Sequence, residues 1–325
     1  MNLLIYGVGR SGTKAIQLYL SYLIARSEGK VWINYEPYFW LDRKTKVVNF
    51  EGFYHNTNGP HFALDSSEFS KGHIRFLKKL SKHKTSTVTK FIRGNGRINA
   101  IGQVYPADHS IIIIRDLYEV LLSVMKTQWD FWSVGWDYQV NWDDFINEVR
   151  QKNIVDNLDW CLNEIVDRID QNAFYWYTMN LSALKSDNGK HFWIDYKNIG
   201  EVENIAKEIF KTSELPESFR SRKFSGENLH RNYPLDSREN SNFYTNLANQ
   251  TLYKMQFSKR FGWYIPPRNT GSMAQINKDY YLQEEKTKGT SVIIEKRDIH
   301  EFFNEDIKSR LEKVMSARKL TVDVK

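Results

Sequence analysis

The sequence predicts an α/β fold, a three-layer sandwich around a central, mostly parallel sheet. Three observations carry this. "NLLIY" (Asn2 to Tyr6) is an apolar run that ends at Gly7, and a helical pattern opens at Thr13. "HSIIIIRD" (His109 to Asp116) is apolar without alternation, the mark of a strand buried on both faces. Strand-like and helix-like stretches then alternate along the chain, which calls for parallel strands covered by helices on both sides.

The elements follow in order. The first unit is strand, glycine loop and a buried helix over 13–25, in which Lys14, Gln17 and Ser21 share one stripe. "VWINY" (Val31 to Tyr35) reads as a second strand, ending at Glu36-Pro37. "TSTVTKFI" (Thr85 to Ile92) alternates and turns at Gly94-Asn95-Gly96. "LYEVLLSVMK" after the isoleucine run has an apolar face of Leu117, Val120, Leu121 and Val124, and a polar face of Glu119, Ser123 and Lys126. Residues 143–169 read as one long helical stretch, "HFWID" (His191 to Asp195) as a strand, and 201–211 as a helix. Beyond 266 the character changes. "TSVIIEKR" suggests a strand, and "DIHEFFNEDIKSRLEKV" an amphipathic helix with Phe303, Ile307, Leu311 and Val314 in a stripe. The expected division is a domain over 1–266 and a C-terminal extension over 267–325, packing on the domain or on a partner subunit.

Composition narrows the partners. With 325 residues and 41% hydrophobic content the chain can bury a large core. The net charge of +7 favours anionic ligands, but no Lys/Arg block points to nucleic acid. One cysteine, Cys161, rules out an internal disulfide and fits a reducing compartment. No secretion signal opens the chain, and no run approaches the roughly eighteen apolar residues of a membrane span. A soluble, cytoplasmic protein is expected.

The candidate site begins at Gly7-Val8-Gly9-Arg10-Ser11-Gly12-Thr13-Lys14. A glycine loop between a strand and a helix offers backbone N–H groups and a helix N-terminus to an anion. A triphosphate loop places Lys before Ser/Thr, so that the hydroxyl ligates magnesium. Here the order is Thr13-Lys14, and the strand over 109–114 ends in Arg115-Asp116. Nor is there a dinucleotide fingerprint: the third glycine falls at Gly12, and only Glu28 approximates the distal acid.

"GVGRSGTKAIQLYL" resembles the 5′-phosphosulfate loop of sulfotransferases that use 3′-phosphoadenosine 5′-phosphosulfate (PAPS), in particular the carbohydrate, tyrosylprotein and bacterial enzymes. "IIIIRDLYEVLLSVMK" resembles the same family's 3′-phosphate motif, with Ser123 eight residues after Arg115. Leu117-Tyr118 stand where the family usually has Pro-Arg. Three further stretches match in chain order: "NYEPYFW" with Glu36, "TKFIRGNGRI" with Lys90, and "WIDYKNIGEVENIAKEIF" with Tyr196. The resemblance spans roughly residues 1–266.

It implies a P-loop-like sandwich and in-line sulfuryl transfer from PAPS to an acceptor hydroxyl, with adenosine 3′,5′-bisphosphate (PAP) as product. Gly9, Arg10, Ser11, Gly12, Thr13 and Lys14 would hold the 5′ end of the donor, Arg115 and Ser123 its 3′-phosphate, and Tyr196 would lie near the adenine. The catalytic candidates are Glu36 as base, Arg10 and Lys14 on the leaving phosphate, and Lys90 at the sulfuryl group. Arg93 and Arg97 are candidates for contacts to an anionic acceptor. No metal is expected. Trp129, Trp132, Trp136 and Trp142, among several aspartates, suit a saccharide or glycolipid acceptor. Two other classes remain open: a P-loop kinase or nucleotide triphosphatase, which requires Mg²⁺–ATP, and a non-catalytic glycan-binding module.

Overall fold

A computed structural model describes residues 1–28, 31–35, 69, 71–82, 84–92, 94–126, 138–215, 219, 294 and 296–322. Five strands form one parallel sheet: β1 (Asn2–Gly7), β2 (Trp32–Tyr35), β3 (Thr87–Phe91), β4 (His109–Ile114) and β5 (His191–Asp195), in the order β2-β3-β1-β4-β5. The central strands are apolar on both faces because both faces are covered. Leu3, Ile5, Ile111 and Ile113 pack under α1 (Thr13–Glu28) and α8 (Val202–Phe210). Leu4, Tyr6, Ile112 and Ile114 pack under the opposite layer. That layer holds α2 (Lys71–Leu80), α3 (Ile98–Val104), α4 (Leu117–Lys126), α5 (Tyr138–Gln151), α6 (Leu158–Glu164), α7 (Arg168–Lys185) and α9 (Asp298–Val322). The expected α/β three-layer architecture is therefore present.

Local chemistry shapes these elements. Helix α1 is buried as expected, its polar stripe largely included. Gln17 and Ser21 are buried, and Gln17 Nε2 donates to the carbonyls of Asn34 and Val88 at 3.0 Å each, tying the helix across β2 and β3. The single helix expected over 143–169 is three. Helix α5 stops where Asn153 takes a left-handed φ of 50° and Ile154 N–H returns to the Val149 carbonyl at 3.2 Å, an end that Asn tolerates well. Helix α7 then starts at a capping box. Asp167 accepts from the N–H groups of Ile169 and Asp170 at 2.8 and 2.9 Å, and the Asp170 carboxylate accepts from Asp167 N–H at 3.3 Å.

Helix α9 packs on α7 through the expected stripe of Phe303, Ile307 and Leu311, with Val314 only partly buried and Ile299 added at its start. Its entry is clasped to the start of α7. Arg297 donates to Asp170 at 2.5 Å and to Asp167 at 2.6 Å, and His300 Nε2 meets Asp170 Oδ1 at 2.8 Å. The strand expected just before this helix falls largely outside the described residues. No helix among the described residues is long and apolar enough to cross a membrane.

Candidate functional site

Ligands of open parallel sheets sit beyond the carboxyl ends of the strands, where the chain leaves two neighbouring strands in opposite directions. Here that place is between β1 and β4. From β1 the chain crosses to β2 on one side, and from β4 to β5 on the other. Gly7 pairs with Ile113, so the glycine loop and the Arg115–Asp116 turn leave the sheet side by side.

The loop is shaped by close approaches that only glycine allows. A Cβ on Gly7 would lie 2.5 Å from Thr13 Cγ2 and 3.2 Å from the Ile113 carbonyl oxygen. A Cβ on Gly12 would lie 2.3 Å from Tyr196 Cε2, and Gly12 has φ +88°. Arg10 is also left-handed, with φ 74°. That conformation costs a residue with a Cβ about 1–2 kcal/mol and persists only where the surroundings impose it. Here they do. Arg115 donates through one terminal nitrogen to the Arg10 carbonyl at 3.0 Å, and Arg10 Nε donates to Ser123 Oγ at 2.8 Å.

The loop donors differ in part from the expected set. Ser11 N–H turns inward to the Val8 carbonyl at 3.1 Å, so it leaves the cradle expected from residues 10–13. Its hydroxyl remains: Ser11 Oγ is buried and has no hydrogen-bond partner among the described residues. Such a group costs about 1–3 kcal/mol until an acceptor arrives. The Gly12 carbonyl accepts from Ala15 N–H at 3.0 Å, which makes Gly12 the residue from which α1 starts. The N–H groups of Gly12 and Thr13 therefore have no acceptor within the helix and lie at its positive end. Gly9 and Thr13 are buried in the loop, and Lys14 is half-buried.

Arg115 is the hub. Besides the Arg10 carbonyl it holds Glu119 Oε2 through Nε at 2.7 Å, and its guanidinium stacks 4.3 Å from the centre of the Tyr196 ring. These two bonds use two of the five N–H donors of a guanidinium, leaving three. Tyr196 thus links the two motifs, with one face to Arg115 and an edge against Gly12. The structure brings Arg10, Ser11, Gly12, Thr13, Arg115, Ser123 and Tyr196 to one place.

Other candidates fall differently. Lys90 lies in β3 opposite Ile5 and is only 1% exposed, so it is no solvated strand lysine. Glu36, Arg93, Trp129, Trp132 and Trp136 lie outside the described residues. Trp142 is a core residue, packed at ring-centre distances of 6.0 Å from Phe145 and 5.9 Å from Phe174, and does not line an acceptor site. Arg97 is buried in the 3-10 turn Asn95–Arg97, which packs on α7.

Asp116 sits nearest the position where a nucleotide triphosphatase would offer an acid to magnesium. Its carboxylate is committed elsewhere. Oδ1 accepts from the N–H groups of Tyr118 and Glu119 at 2.9 and 3.3 Å, capping α4, and Oδ2 accepts from Asn304 Nδ2 at 3.0 Å. Burial works to raise its pKa, but these bonds and the Lys308 ammonium outweigh it and hold the carboxyl below its ordinary value. Among the described residues, no group of three or more His, Cys, Asp or Glu stands together as a metal site.

Three residues of the site gave no motif: Glu119, Trp176 and Asn304. Glu119 was legible only as a polar-face residue one turn after Arg115. Trp176 Nε1 donates to the Arg115 carbonyl at 3.1 Å from α7, an element whose nearly complete burial erases the helical period. A separate cleft of about 480 Å³ opens at the opposite, amino-terminal edge of β4 and β5, lined by Asn99, Asp108, Ser110, Lys190 and His191. No arginine lines it, and burial lowers the pKa of His191, favouring the neutral ring.

Neither a scan against protein-family models nor a search of curated proteins gives a match.

Proposed function

We propose that the protein is a sulfotransferase that moves a sulfuryl group from PAPS to a hydroxyl of a saccharide or glycolipid acceptor in the cytoplasm. The observation that carries this reading is the junction of the two motif segments. Arg10 of the loop is bonded to Ser123, and Arg115 to the Arg10 carbonyl. A ligand with one anionic group at each end of a nucleoside suits this arrangement. The buried Ser11 hydroxyl and the glycine cradle suit the phosphosulfate end.

In this reading Arg115 and Ser123 hold the 3′-phosphate. Ser123 accepts from Arg10 Nε, which sets its hydroxyl beside the loop and the Arg115 guanidinium. Ser11 Oγ, the N–H groups of Gly12 and Thr13, and the Thr13 hydroxyl hold the 5′-phosphosulfate. Glu36 takes the proton of the acceptor hydroxyl as its oxygen bonds to sulfur. The bond from sulfur to the bridging oxygen breaks, and its electron pair stays on the 5′-phosphate of PAP, next to Arg10 and Lys14. Lys90 assists at the sulfuryl oxygens. The commitment of Asp116 to the α4 cap favours this over a magnesium-dependent nucleotide triphosphatase.

The test is transfer of label from PAPS to a panel of oligosaccharides, lipid extracts, phenols and peptides. Transfer to saccharides or glycolipids is expected, with Glu36→Ala retaining PAP binding and losing turnover. No transfer to any acceptor, from protein that also fails to bind PAP, would refute the reading.

A further inference from the structure

Helix α9 reaches the donor site from behind. Asn304 stands next to Phe303 on its buried side and is 2% exposed. An amide among apolar neighbours costs free energy unless both of its ends are bonded. Here both are: Oδ1 accepts from Leu117 N–H at 2.9 Å, and Nδ2 donates to Asp116 Oδ2 at 3.0 Å. Leu117 opens α4, so its N–H has no acceptor within that helix. Asp116 caps the same helix through its other oxygen. One amide from α9 therefore completes the cap, and Lys308, one turn further on, adds its ammonium at 3.3 Å from Asp116 Oδ2.

Arg115 immediately precedes this cap. Its carbonyl is held by Trp176 of α7, and the next two residues are held by Asn304. The apolar stripe and the Arg297–His300 clasp already dock α9 on α7. The amide adds directional bonds at the one turn whose direction decides where the guanidinium points.

We infer that Asn304 is a positioning residue for the anion site, acting through Asp116 and Leu117 to aim Arg115 at its ligand. This rests on the donor-site reading given above. It makes the helix of the C-terminal segment part of the binding machinery, although that helix lies beyond every residue that resembles a sulfotransferase.

A swap of the hydrogen-bonding pair tests this. N304D sets two carboxylates face to face. D116N/N304D restores the pattern, because the carboxylate at position 304 then accepts from Leu117 N–H and from the new amide at 116. Three quantities are read on the full chain: PAP affinity by calorimetry, the Nε–H NMR signal of Arg115, and thermal stability. N304D is expected to weaken PAP about ten-fold and shift the Arg115 signal, the double variant recovering both to within about two-fold. If N304D lowers stability alone, with the Arg115 signal and PAP affinity unmoved, Asn304 is only a packing residue. Failure of the double variant to recover the signal also overturns the inference. If the unaltered protein does not bind PAP, the donor-site reading fails, while the Arg115 signal still decides whether Asn304 sets its direction.

Discussion

Gly12→Ala probes the loop where sterics and ligand chemistry meet. The new Cβ would stand 2.3 Å from Tyr196 Cε2 and 2.7 Å from Cδ2, so the ring must retreat by about an ångström to reach ordinary contact. The backbone at φ +88° adds about 1–2 kcal/mol for a residue with a Cβ. The ring takes with it the stack on Arg115, now 4.3 Å from its centre, a contact of about 0.5–1 kcal/mol at a partly exposed site. The two contributions give a destabilisation of about 1.5–3 kcal/mol, read by urea unfolding, together with weaker PAP binding. In a Tyr196→Ala background the ring is gone and only the backbone cost of about 1–2 kcal/mol remains. A Gly12→Ala cost below about 0.5 kcal/mol, or the same cost in both backgrounds, would refute this account of the loop.

Other residues give independent checks. Arg115→Ala should weaken PAP by at least about ten-fold, since a charged contact is lost. Unchanged affinity would remove Arg115 from the site. Glu119→Gln releases Arg115 Nε from a carboxylate whose side chain is 53% exposed, and should tighten PAP by a few-fold, more at low salt. Weaker binding would mean that Glu119 orients the guanidinium and does not compete for it. Burial pushes the Cys161 thiol up to about 11, so a thiol reagent at pH 8 should label the folded protein slowly and the unfolded one at once. Fast labelling of native protein contradicts the packing around α6.

Burial also lowers the pKa of His300 and of His191 below the ordinary 6.5, with Arg297 acting in the same direction on His300 against Asp170 and Asp167. The unfolded chain then binds more protons than the folded one below pH 6.5, so stability should be level above that pH and fall as pH drops through the depressed values. His300→Gln should flatten this fall in urea midpoints taken from pH 5 to 8. A wild-type protein more stable at pH 5 than at pH 7 would reverse the sign.

Sequence pattern alone revealed the elements whose physics is local. The unbroken isoleucines of β4 could only be doubly buried, and α4 has the bounds its apolar face sets. Arg115 was legible because strand ends in a parallel sheet converge, and Arg10 and Ser123 because their segments resemble the two sulfotransferase motifs. The rest depends on distant partners. Gln17 and Ser21 read as a polar stripe on a buried helix, and the partners of Gln17 appear only once β2 and β3 are laid beside it. Trp142 looks like a ligand platform until Phe174 covers it. Nothing near Asn304 in the chain marks it, since its partner Asp116 is 188 residues away. Glu36, Trp129, Trp132 and Trp136 lie outside the described residues.

The most direct measurement is calorimetric titration of the full chain with PAP and, separately, with ATP plus Mg²⁺, each with and without EDTA. The account predicts PAP binding that EDTA leaves unchanged and that Arg115→Ala weakens. Tight, EDTA-sensitive binding of ATP with no response to PAP would contradict it.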